Sequence, residues 1–211
     1  MVFIVKESRF NMKNFIYILG LLPIILFIWI SLNYDSSPFL MELDEKMSDY
    51  LFGNELITLF HYIGDTGFVV LITVCLLLYL WLRKQNYRAM IFALLTIAGG
   101  TTINQVIKSY YARPRPEIVD QLTSYSFPSG HSMMSVLYLF TLAYIFSESV
   151  KNKRLKILYW LVAIVLFICI GLSRVAEARH FATDVLGGWS LGIVWFTLCV
   201  IWYENKKGKS K

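Results

Sequence analysis

Ser173-Arg174-Val175-Ala176-Glu177-Ala178-Arg179-His180-Phe181-Ala182-Thr183-Asp184 is a polar, ionisable stretch set between two long apolar runs, residues 157–172 before it and the continuation to residue 203 after it. Apolar runs of this kind are read as membrane-crossing helices, which need roughly 20 residues, because a bilayer core leaves no water to satisfy the backbone. The polar stretch is then a connection at one membrane face, and the fold class is all-α. Placed on a helix, His180 and Asp184 stand one turn apart on the same face, so the carboxylate holds one ring nitrogen and leaves the other free. Alone, such a pair is commonly a surface contact. Two further stretches, Lys108-Ser109-Tyr110-Tyr111-Ala112-Arg113-Pro114-Arg115-Pro116 and Pro128-Ser129-Gly130-His131, interrupt apolar sequence at helix ends in the same way.

The composition agrees with a bilayer protein. Of 211 residues, 57% are hydrophobic and 16% charged, with mean hydropathy +0.57; a soluble domain could not carry that balance without large exposed apolar patches. A net charge of +6 would suit nucleic acid in a soluble protein, but here the basic residues cluster beside the apolar runs, where they set topology. Neither a nucleic-acid partner nor an obligatory protein partner is expected. Cys75, Cys169 and Cys199 fall inside apolar runs with no metal-ligand spacing, so they are read as packing residues, without disulfide or zinc. The first apolar run is read as a retained helix rather than a cleaved signal peptide.

Working outward, six spans are predicted at about 15–32, 68–82, 89–110, 129–146, 157–172 and 181–203, in one polytopic membrane domain covering residues 1–211. Lys6, Arg9 and Lys13 precede the first span, and Pro23 inside it is expected to kink it. Arg83, Lys84 and Arg88 follow the second span, Lys151, Lys153, Arg154 and Lys156 the fourth, and Lys206, Lys207, Lys209 and Lys211 the last. The excess of Lys and Arg on cytoplasmic connections places these turns and both termini inside. The connection after the first span is acidic, with Asp35, Glu42, Asp44, Glu45, Asp49, Glu55 and Asp65 against Lys46. Within it Leu40, Leu43, Met47, Leu51 and Phe52 recur at helical spacing, which predicts a short amphipathic helix lying at the membrane interface between the first and second spans. His61 has no charged partner at useful spacing and is read as interfacial packing. The three polar motifs then fall together at the extracytoplasmic ends of spans three to six.

Lys108, Arg115 and Arg174 bring cations to that end, where an uncompensated positive cluster near a low-dielectric medium is costly without an anion. Arginine's fork and lysine's point charge suit a tetrahedral oxyanion, and Ser129 and Gly130 at a helix start add backbone N–H donors. Phosphate fits this set better than carboxylate. His180 backed by Asp184 is a candidate nucleophile on phosphorus, and His131 is a second titratable group able to protonate a leaving alkoxide. The cations would stabilise the equatorial oxygens, which elsewhere is the work of Mg²⁺, so neither metal nor cofactor is expected.

In residue types, spacing and order, the three motifs resemble the signature of the type-2 phosphatidic acid phosphatase superfamily, from about residue 98 to residue 188. That resemblance implies a membrane enzyme of the cytoplasmic membrane, active on a lipid phosphate or pyrophosphate such as phosphatidylglycerophosphate, undecaprenyl pyrophosphate or phosphatidic acid. It implies that His180 forms a phosphohistidine oriented by Asp184, that His131 protonates the departing alkoxide, and that Lys108, Arg115, Ser129, Gly130 and Arg174 hold the phosphoryl oxygens. One departure is Val175-Ala176-Glu177-Ala178-Arg179, where many relatives carry an uncharged stretch. Glu177 and Arg179 are expected to pair with each other, the alternative being that Arg179 reads an extra phosphate; Arg113 is expected to face lipid headgroups. Two rival activities are phosphotransfer to an acceptor other than water and transport of an anionic solute. The uninterrupted apolar spans and the gathering of charge at one end count against transport.

Overall fold

The computed structural model describes residues 12–207, and the backbone over that range is helical with no strand. The helices are α1 (Met12–Asn33), α2 (Pro38–Leu51), the single turns α3 (Glu55–Thr58) and α4 (His61–Gly64), α5 (Thr66–Tyr79), α6 (Tyr87–Tyr111), α7 (Gly130–Ser149), α8 (Lys153–Ala176) and α9 (Ala182–Lys207). Local chemistry sets their starts: the side chains of Asn86, Ser129 and Asn152 accept first-turn N–H groups of α6, α7 and α8. α6 stops where Ala112 adopts φ 46° and returns its N–H to Lys108. α5 runs on through a π turn, Leu80–Lys84.

Among the described residues five helices are long and apolar enough to cross a membrane, from Thr66–Arg83 to Ala182–Asn205, and Gly20–Asn33 meets Pro38–Leu51 at 95°. The five match the second to sixth predicted spans with shifted ends, and the first predicted span corresponds to α1, whose described part meets that measure only together with α2. α8 is the largest extension, from the expected 157–172 to Lys153–Ala176, because Asn152 caps it early and the apolar rule stops short of its polar last turn. α7 and α9 form the centre of the bundle: α7 packs along α6, α8 and α9, and α1 lies along α9. Burial follows, with 56% of the α7 window buried against 17% for α5. Leu71, Val74, Leu94, Leu158, Leu161 and Val165 point outward from α5, α6 and α8, a girdle that only a lipid environment tolerates.

The amphipathic helix exists as α2, but its stripe covers the end of the bundle: Leu43, Met47 and Leu51 pack with Val175, Ala176, Ala182 and Val185. Phe52 falls beyond the helix and is exposed. Close approach of α9 to α7 requires glycine at Gly188, where a Cβ would stand 2.5 Å from the Ser129 carbonyl oxygen. That approach lets Ser129 N–H donate to the Asp184 carbonyl at 3.0 Å and ties the start of α7 to the first turn of α9. Even-numbered crossing puts the 112–129 and 177–181 connections at one end and the basic turns after α5 and α7 at the other. Lys6, Arg9 and the tail from Gly208 lie outside the described residues, as do the side chains of Lys13, Lys84, Lys206 and Lys207.

Candidate active site

Lys108 in the last turn of α6, Gly130 and His131 in the first turn of α7, Arg174 near the end of α8, Arg115 in the 112–129 loop and His180 between α8 and α9 line one cavity of about 800 Å³. The loop is held over it by long-range bonds. Arg115 donates to the Ser124 carbonyl at 2.7 Å and to the Arg179 carbonyl at 2.5 Å, while Gln121 Nε2 donates to the carbonyls of Pro116 and Ala178, both at 2.9 Å.

His180 is not on the helix that carries Asp184. It precedes α9, and its N–H and that of Arg179 both return to the Arg174 carbonyl, with Ala178 at φ 50° reversing the chain. The pair still meets: His180 Nδ1 lies 3.4 Å from Asp184 Oδ2, and Ser126 Oγ is 3.4 Å from the same nitrogen. Asp184, fully buried, also accepts the Phe181 N–H at 2.9 Å, the Ser126 hydroxyl and Arg113 Nη1 at 2.6 Å. The other face of the ring, Nε2, points to Arg115 Nη1 at 3.1 Å. Burial, more than the neighbouring Arg115 and Lys108 cations, pushes the His180 imidazole down to about pKa 3 against the opposing pull of Asp184. The imidazole is therefore neutral near pH 7. Burial and the charges of Arg174 and Arg179 lower Arg115 to about 10, which leaves it cationic there.

His131 has a partner that sequence reasoning missed: Asp65, just before α5, lies 3.1 Å from Nε2. In the sequence Asp65 is one of several acids in the connection between the first two spans, and nothing in local spacing links residues 65 and 131. Ser129 is not among the residues that line the cavity: it is fully buried, its N–H goes to the Asp184 carbonyl and its hydroxyl oxygen accepts from Ser132 Oγ at 2.9 Å. The N–H groups of Gly130 and His131 belong to the first turn, where a helix leaves N–H groups without intrahelical partners.

Three expectations are corrected. Arg113 does not face headgroups; it is 7% exposed, bonded to Asp184 and Asp44, because two buried carboxylates outcompete water for its fork. Glu177 does not pair with Arg179 but with Arg174 at 2.6 Å and His61 at 2.7 Å, since the reversal at Ala178 turns the two side chains apart. His61 accordingly has a charged partner. Arg179 instead donates to the Asp120 carbonyl at 2.7 Å.

The PAP2 superfamily pattern matches residues 88–207. A Bacillus subtilis (strain 168) protein described as phosphatidylglycerophosphatase B is 32% identical over 149 residues, 69% of this chain and 72% of that protein. The crystal structure described as the first transmembrane PAP2 type phosphatidylglycerolphosphate phosphatase from Bacillus subtilis superposes with TM-score 0.75 at 26% identity, covering 88% of this chain and 96% of that one. Aquifex aeolicus LpxE shares the fold, with TM-score 0.51 at 23% identity over 84% of this chain and 94% of its own.

Proposed function

The chain belongs to the PAP2 superfamily, and from that premise we propose that it hydrolyses a lipid phosphate, phosphatidylglycerophosphate first among candidates, through a phosphohistidine on His180. One observation carries the reading: Lys108, Arg115, Arg174, His131 and His180 line a single cavity, which continues between α5 and α6 along Val70, Val74, Leu77, Leu94 and Ala98. A phosphate at the polar end and an acyl chain in the apolar gap would both be accommodated, so substrate enters sideways from the bilayer. Similarity to a protein described as phosphatidylglycerophosphatase B supports this lipid.

The phosphate displaces Arg115 Nη1 from His180 Nε2 and takes that guanidinium for its own oxygens, with Lys108 and Arg174 as further cations and the first N–H groups of α7 as neutral donors. The freed Nε2 attacks phosphorus; the N–P bond forms as the P–O bond to the lipid breaks, and His131 gives its proton to the departing alkoxide. Asp184 holds Nδ1 and stabilises the positive ring that attack creates. Water then attacks the phosphohistidine, His131 takes its proton, the N–P bond breaks, and inorganic phosphate leaves. Asp65 orients His131 in both halves. The three cations supply the charge stabilisation, and no metal takes part. The excess of Lys and Arg on the turns after α5 and α7 supports a site on the outer face of the cell membrane.

Purified protein in EDTA, given phosphatidylglycerophosphate, undecaprenyl pyrophosphate and phosphatidic acid in parallel, releases phosphate fastest from the first. His180→Ala releases none, and acid-labile label from a ³²P lipid remains on wild-type protein after rapid quenching. Phosphate release by His180→Ala at the wild-type rate would sink the reading.

A further inference from the structure

Arg113 reaches two carboxylates at once. Its Nη1 donates to Asp184 Oδ1 at 2.6 Å and Thr183 Oγ1 at 2.8 Å, and its Nη2 donates to Asp44 Oδ2 at 2.9 Å. Asp44, on α2, also accepts the Thr183 N–H through Oδ1 and the Thr183 hydroxyl through Oδ2, each at 2.8 Å. The guanidinium carbon lies 4.4 Å from the Tyr34 ring centre and 4.2 Å from that of Phe181. Arg113, Asp44 and Asp184 are 7%, 7% and 0% exposed, so water does little to balance the three charges.

We propose that Asp44 and Arg113 are positioning residues for phosphoryl transfer, holding Asp184 in the pose that receives His180 Nδ1. The argument is one of competition for a fork. A guanidinium beside a lone buried carboxylate takes both oxygens in a bidentate pair. Asp44 occupies Nη2 and keeps Arg113 on Oδ1 of Asp184 alone. Oδ2 is thereby left for the imidazole, the Ser126 hydroxyl and the Phe181 N–H. α2 thus works as part of the site, although it contributes no group to the cavity of about 800 Å³. Lysine at position 113 could not replace the bridge, because an ammonium is a point charge without two diverging arms.

The proposal rests on His180 as nucleophile, so the test keeps the two claims apart. Wild type, His180→Ala, Arg113→Lys, Asp44→Asn and Thr183→Val are compared on dispersed phosphatidylglycerophosphate, with rates normalised to monodisperse protein and thermal midpoints recorded. Glu42→Ala, which removes an exposed pair with Lys46 on the same helix, is the control and keeps the wild-type rate. Arg113→Lys and Asp44→Asn lower kcat by about 100-fold, the loss typical of a misplacement of about 1 Å in a reacting group, with KM within about threefold. Thr183→Val, which removes one hydroxyl link and no charge, lowers kcat by about threefold to tenfold and decides the matter if the charge variants do not fold. A merely structural role lowers the thermal midpoint and leaves kcat per folded molecule unchanged. Unchanged kcat in the folded variants, with His180→Ala inactive, overturns the positioning claim and spares the function; an active His180→Ala overturns the function itself.

Discussion

The nucleophilic role proposed for His180 requires a lone pair at working pH, and burial leaves it one by lowering the imidazole to about pKa 3. Its protonation therefore does not limit kcat/KM until pH falls through about 3. At the other end, Arg115 loses charge as pH rises through about 10, so kcat/KM falls there as transition-state stabilisation is lost, which a pH profile reads directly. Stability responds to His180 in a higher pH window than kcat/KM does. An unfolded histidine titrates near 6.5 and the folded one near 3, so the unfolded state binds the extra proton between them and stability declines as pH falls through that window. Thermal midpoints of wild type and His180→Asn, compared from pH 7 to pH 4, converge on acidification. Asp65 carries a further prediction: Asp65→Asn lowers kcat on a lipid substrate by about tenfold, and an aryl phosphate, whose leaving group needs no proton, escapes the loss. His131 could be picked from its motif; Asp65 could not, because 66 positions separate the two.

At the scale of elements, the site depends on two tight approaches. α9 lies against the start of α7 because Gly188 has no side chain; an added Cβ would press on backbone rather than on a movable group. Gly188→Ala should destabilise the protein by about 1–3 kcal/mol, the usual cost of overpacking, seen as a lowered thermal midpoint in detergent. The 112–129 loop is the second approach, strapped to the 177–181 segment by Arg115, Gln121 and Arg179. Helix identity was readable from apolar runs, caps and basic turns. The role of α2 was not: its apolar stripe reads equally well as a membrane-surface helix or as a cover for a bundle end. The position of Val175 and Val185 beneath it shows that it covers the bundle end.

Across the described residues, the candidate site lies at one end of the bundle and the basic turns at the other. In a cysteine-free background, a cysteine at Glu117 should react with an impermeant maleimide on intact cells and one at Lys153 only after permeabilisation; the reverse pattern would place the site inside. The apolar gap between α5 and α6 makes a separate demand: Ala98→Trp should lower kcat/KM on long-chain lipid phosphate about tenfold and spare a short-chain soluble ester, because the bulk fills the gap and not the polar end. The sequence by itself determined the all-helical class, the number and order of apolar runs, and the motif residues, since these follow from bilayer thickness and from spacings of a few residues. Tertiary structure alone decided which charges serve which histidine. Asp65 on His131, Asp44 on Arg113 and Asp44 on Thr183 bridge 66, 69 and 139 positions. A buried charge takes whichever opposite charge the packing brings within reach, and that is a property of where helices meet, not of residue order.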